Sequence, residues 1–151
     1  MLLALIPNNA QASERIHIET ISIEITTRTK KLTQDELEAL VARYSSQWSV
    51  SYEEMLSTVT CEAKKVVIDD TLYYVPSAQS DLLYSFTDSS RGIYNGQREM
   101  SYGLSQIHKP SHPDISIKDA QDPDFALNFM AEAFSKGKQS WWSCWKPSDN
   151  T

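Results

Sequence analysis

Glu62 is the first residue of this 151-residue chain whose type and position could do acid–base chemistry. Ser51-Tyr52-Glu53-Glu54 reads as a capping box that opens a helix, with Met55, Leu56, Val59 and Ala63 turned inward. Glu62 comes seven residues after Met55 and three after Val59, so at 3.6 residues per turn it points with that apolar stripe. A carboxylate there is costly to ionise, and the partial negative charge at a helix C-terminus adds to the cost. Both effects suit a general acid. Helix geometry alone leaves open a glutamate at the edge of the stripe that bends out to solvent.

Cys61 and Cys144 fit neither a zinc-ligand pair nor a redox CxxC spacing. A disulfide is the simplest use, worth about 4–5 kcal/mol in the chain-entropy model for so long a loop. Two reduced core cysteines are the alternative. His108, His112 and Asp114 have a metal-like spacing, but Pro110 and Pro113 break the helix that would align them. They read as polar loop residues, with no metal.

The elements that must position these groups follow from periodicity. A chain of this length supports one packed core, and 40% hydrophobic content with four tryptophans argues against disorder. Thr33-Gln34-Asp35-Glu36 caps a helix over about 34–46, carrying Leu37, Leu40, Val41 and Tyr44 on one face. The second helix is expected to run to about Lys65. Val66-Val67-Ile68 and Leu72-Tyr73-Tyr74-Val75, flanking Asp69-Asp70-Thr71, and the Asn95-Gly96 pair give hairpin signals within 66–100. Ser101 to Ile107 is read as entering a further helix. Asp122 and Pro123 open another, with Ala126, Phe129, Met130, Ala133 and Phe134 buried and Gly137 as its stop. Of the closing Trp141-Trp142-Ser143-Cys144-Trp145, the tryptophans are read as covering the core in preference to stacking on sugars.

The N-terminus is read as a truncated signal-peptide remnant over 1–12, from the apolar run Leu2–Ile6 and the small-residue pattern Ala10-Gln11-Ala12. An extended segment follows at 13–32, where isoleucines 16 and 18, then 21, 23 and 25, alternate with polar residues in the manner of a strand, with a slip in phase between Ile18 and Ile21 that a bulge would absorb. No segment reads as a membrane span. A formal charge of −6 argues against nucleic acid as a partner.

In order and type, several segments resemble the lysozyme-like superfamily, in its soluble lytic transglycosylase (SLT) and goose-type lysozyme branch. They are Met55-Leu56-Ser57-Thr58-Val59-Thr60-Cys61-Glu62, Ala78-Gln79-Ser80-Asp81, Ser101-Tyr102-Gly103-Leu104-Ser105-Gln106-Ile107, Asp122-Pro123, Ala126–Ala131 and the tryptophan–cysteine ending. The resemblance covers about 50–146, and its most specific part is the Ser101–Ile107 segment downstream of Cys61-Glu62. It implies an α+β, mainly α, lysozyme-like domain over 33–147 with a small β-lobe. It further implies that Glu62 protonates a glycosidic oxygen, that Ser101 and Gln106 line the cleft, and that Gly103 lets the sugar chain approach the backbone. Tyr102 either stacks on a sugar or packs.

The implied activity is cleavage of the MurNAc-β-1,4-GlcNAc bond of peptidoglycan, without cofactor, in an extracytoplasmic setting. Glycoside hydrolysis needs a second carboxylate, and Asp81, Asp88, Glu99 and Asp114 are the candidates, none in a distinguishing motif. Lytic transglycosylation dispenses with it, because the muramyl 6-hydroxyl attacks its own anomeric carbon while one glutamate serves as acid and then base. That reading is therefore preferred over hydrolysis. Two departures stand out: Ala63 replaces the family's serine after the glutamate, and 64–76 replaces a short connection. They keep a non-catalytic peptidoglycan-binding envelope module as the alternative of another class. Oligomeric state is left open.

Overall fold

A computed structural model describes residues 30–147. The expected remnant at 1–12 and the isoleucine alternation lie outside the described residues, as does all of 13–32 except its last three. What is described is a mainly helical α+β arrangement: four helices, three of them framing the main core, and two small hairpins.

Helix α1 (Gln34–Trp48) begins at Thr33, whose hydroxyl accepts from the Glu36 N–H while the Glu36 carboxylate accepts from the Thr33 N–H. The box thus satisfies two donors that the first helical turn leaves over. Leu37, Val41 and Tyr44 are buried along one face. Ser49, at φ 53, reverses the chain. Helix α2 (Tyr52–Glu62) starts where the Ser51 hydroxyl accepts from the Glu54 N–H, and it buries Met55, Thr58 and Val59. It ends three residues before the expected Lys65, because Ala63 is already extended and Lys65 opens strand β1.

Strands β1 (Lys65–Ile68) and β2 (Thr71–Tyr74) pair antiparallel across Asp69 and Asp70. Both turn residues have positive φ, 48 and 59, as a two-residue turn matched to strand twist requires. Only the base of this lobe reaches the core, through Tyr74; Val67 and Leu72 at its far end are exposed. Leu32 pairs with Tyr74 through two backbone hydrogen bonds, of 2.9 and 2.8 Å.

The segment 101–107 is not helical. It forms strand β3 (Ser101–Tyr102), a turn, and strand β4 (Ile107–His108). Gly103 at φ 81 and Gln106 at φ 48 are incompatible with a right-handed helix, so the helix read from this segment is corrected to a hairpin. Helix α3 (Ile117–Ala120) is a single turn, and α4 (Pro123–Ser135) has the expected Asp122 cap, Pro123 start and Gly137 stop.

The main core lies among α1, α2 and α4, closed by Tyr74 and Trp142. Tyr44 donates to Asp124 at 2.6 Å and Trp48 to Asn128 at 2.9 Å, tying α1 to α4. Burial, reinforced by the Asp124 carboxylate, pushes the Tyr44 phenol up to about 12. Cys61 and Cys144 form a disulfide across 83 residues. Replacing both by serine is expected to lower stability by about 3–4 kcal/mol, short of the ideal chain-entropy value because unfolded chains retain structure. The urea midpoint of the double variant measures it.

Candidate active site

The last residue of α2, the hairpin β3–β4, the 79–86 loop and the C-terminal 141–144 segment enclose a cleft of about 910 Å³. Glu62 lies on its wall, half-buried. Ala63 takes the buried position that continues the stripe of Met55 and Val59, and Glu62 leans from the stripe's edge toward the C-terminal segment. It is therefore the glutamate at the edge of the stripe that helix geometry left open, half-buried and hydrogen-bonded to the C-terminal segment. Its Oε1 accepts from the Cys144 N–H at 2.9 Å and from the Ser143 hydroxyl at 3.1 Å.

The Ser101–Ile107 hairpin divides by role. Ser101 is buried and lines the cleft, its carbonyl accepting from the Ser80 N–H at 2.8 Å. Gln106 also lines it, and its side-chain amide donates to the Gly103 carbonyl at 2.8 Å, bracing the turn. Tyr102 is not on the wall; it packs half-buried against Ile107, Ile115 and Ala120. Gly103 is not on the wall either. A Cβ there would sit 1.7 Å from the Ala120 carbonyl oxygen, so α3, not a sugar, approaches this backbone. Glu62, Ser101 and Gln106 thus share the cleft, whereas Tyr102 and Gly103 support it from behind.

Of the four carboxylates weighed as partners for Glu62, Asp81 and Glu99 line the cleft and Asp88 and Asp114 do not. Asp81 has both oxygens taken, Oδ2 by Lys64 and Oδ1 by Arg98. The Lys64 ammonium, with Arg98 in support, holds its carboxyl below the usual range. Glu99 accepts from the Ser80 hydroxyl through Oε2 at 2.7 Å.

His108 is fixed by a chain of hydrogen bonds. The Tyr84 hydroxyl oxygen accepts from the Met100 N–H at 3.0 Å and is hydrogen-bonded to His108 Nε2, 2.8 Å away. Nδ1 is hydrogen-bonded to the Ser111 hydroxyl at 2.8 Å, the two ring nitrogens taking complementary donor and acceptor roles in the neutral ring. With both ring nitrogens engaged and His112 packed against Phe129 and Trp141, neither histidine is presented as a ligand. Among the described residues no group of three metal-binding side chains is assembled.

Burial holds His108 below the ordinary imidazole range, opposed by Glu99 and reinforced by Arg91 and His112. A histidine depressed in the folded state leaves the unfolded chain binding more protons, so its contribution to stability is present above about pH 6.5. That contribution is lost as pH falls through the folded value. Melting temperature is expected to drop between pH 7 and 5, and less steeply in His108→Gln, whose amide can still hydrogen-bond Tyr84.

The tryptophans separate. Trp142 is buried, and its indole donates to the Ser105 carbonyl at 2.6 Å; Trp145 packs on the core. Trp141 is 52% exposed on the cleft wall beside His112 and Phe129, a position missed when all of these tryptophans were read as core cover. The pairing of Cys144 with Cys61 was the available signal, since it brings 141–143 beside residue 62. Among the described residues, no helix is long and apolar enough to cross a membrane. No family model, curated protein or solved structure matches this chain.

Proposed function

We propose that this chain is a lysozyme-like domain that cleaves the MurNAc-β-1,4-GlcNAc bond of peptidoglycan by lytic transglycosylation. The observation that carries the reading is Glu62: a carboxylate held through one oxygen, at a helix end, on a cleft large enough for several sugar units. Glu62 protonates the glycosidic oxygen as the bond to the anomeric carbon breaks. Its carboxylate then takes the proton of the muramyl 6-hydroxyl as that oxygen attacks the same carbon, closing a 1,6-anhydro ring. Exposed Trp141 offers a face for a sugar ring.

Ala63 is buried in the core, so the serine it replaces would not have met substrate from this backbone position. The Ser143 hydroxyl supplies an oxygen next to Glu62 from the other end of the chain. Together these weaken the case for a domain that only binds. A disulfide at the cleft fits an oxidising, extracytoplasmic compartment.

Hydrolysis is the second reading, favoured by Glu99 on the cleft wall, where it could activate water; Asp81, neutralised by two cations, is a poor base. The test is the chemistry of the digested glycan ends. Anhydromuramic ends, with Glu99→Gln retaining turnover within about threefold, support transglycosylation; Glu62 then needs no second carboxylate, so Gln costs little of the general-base contribution. Reducing ends, with Glu99→Gln inactive, replace it by hydrolysis.

A further inference from the structure

The two bonds on Glu62 come from the far end of the chain, and both end on the same oxygen. The Cys144 N–H is aimed by a segment tied to the rest of the fold at two points and closed by a turn of its own. The buried Trp142 indole is bonded to Ser105, Cys144 is joined to Cys61, and the Trp145 N–H returns to the Trp142 carbonyl at 3.2 Å. Ser143 is the exposed residue between these anchors, and its hydroxyl turns back onto Glu62. No described residue hydrogen-bonds Oε2.

A glutamate side chain has three rotatable bonds, and an acid works only when its proton points at the leaving oxygen. An oxygen that already accepts two hydrogen bonds is a poor place for the acid proton, which is therefore left to the other oxygen.

We infer that Ser143 is a positioning residue. With the Cys144 N–H it fixes Glu62 Oε1, so that Oε2 is the oxygen that carries the proton to the substrate and takes one back. The Cys61–Cys144 bond is the latch that keeps both donors within reach. The inference rests on the reading of Glu62 as the acid, but the geometry it describes can be read without turnover.

The test uses the full chain with ¹³C-labelled glutamate, in which Glu62→Gln assigns the Glu62 carboxyl signal. Ser143→Ala is expected to change that signal and to lower kcat for peptidoglycan about fivefold with KM unchanged, the loss of one exposed hydrogen bond to a charged group. Ser143→Thr, which keeps the hydroxyl, is expected to restore both. An unchanged carboxyl signal in Ser143→Ala, or a fall in binding with kcat intact, overturns the inference. If the wild type turns over no peptidoglycan, the proposed function fails and the carboxyl signal alone decides the positioning. A changed signal restored by threonine supports it, and an unchanged one overturns it.

Discussion

Glu62→Gln is expected to reduce peptidoglycan turnover by about 10²–10⁴-fold, the range that one well-placed general acid contributes. The substitution is suited to the site because the amide is the same size as the carboxyl and keeps an oxygen to accept from Ser143 and the Cys144 N–H. Glu62 is half-buried at a helix end and outside the packed core, so stability should change by less than about 1 kcal/mol. Binding to insoluble peptidoglycan should persist. The measurement is release of soluble glycan from purified wall, with thermal melting as the folding control. Equal turnover by the two proteins would remove Glu62 from the chemistry, while wall binding by both with turnover by neither would leave a glycan-binding module.

Gly103→Ala is expected to be the most damaging single substitution to stability, on the order of 5 kcal/mol. Two costs add. A φ of 81 is strained for any residue with a Cβ, and the new methyl would lie 1.7 Å from the Ala120 carbonyl oxygen. Backbone, unlike a flexible side chain, cannot swing away, so the β3–β4 turn and α3 would have to part. Chemical unfolding followed by tryptophan fluorescence measures the loss, since Trp142 is bonded to the same turn through Ser105. Gly96→Ala is the matched control. It has a similar φ of 79 and open space around it, so it should cost only about 1–2 kcal/mol, the conformational part. A loss of that size at Gly103 would show that the close approach to α3 contributes nothing.

How much of this could be read from residues varied with the range of the interactions involved. The helices at 34–48 and 123–135 are local affairs: a capping side chain, a 3.6-residue apolar period and a stop residue act within a few positions of one another. The hairpin at 65–74 is local too, because Asp69 and Asp70 tolerate the left-handed turn that joins its strands. The Ser101–Ile107 segment misled for the opposite reason. Its short run of apolar and small residues is compatible with a helix until Gly103 is seen pressed against Ala120, a contact made by residues well separated in sequence.

The amino-acid order by itself determined that Glu62 lies in the last part of an amphipathic helix, that two cysteines are available to each other, and that Ser101 and Gln106 share one short segment downstream. Those facts rest on neighbours along the chain. Only the tertiary structure decided which oxygen of Glu62 is held, which carboxylates share its cleft, and that of the two tryptophans on its wall Trp142 is buried and Trp141 exposed. It also assigned Gly103 to packing. Each of these depends on where the 141–144 segment and α3 are brought against the rest by burial of Trp142 and Ala120 and by the disulfide. Burial has no direction along a sequence, so periodicity can say that a face is apolar but not what it will meet.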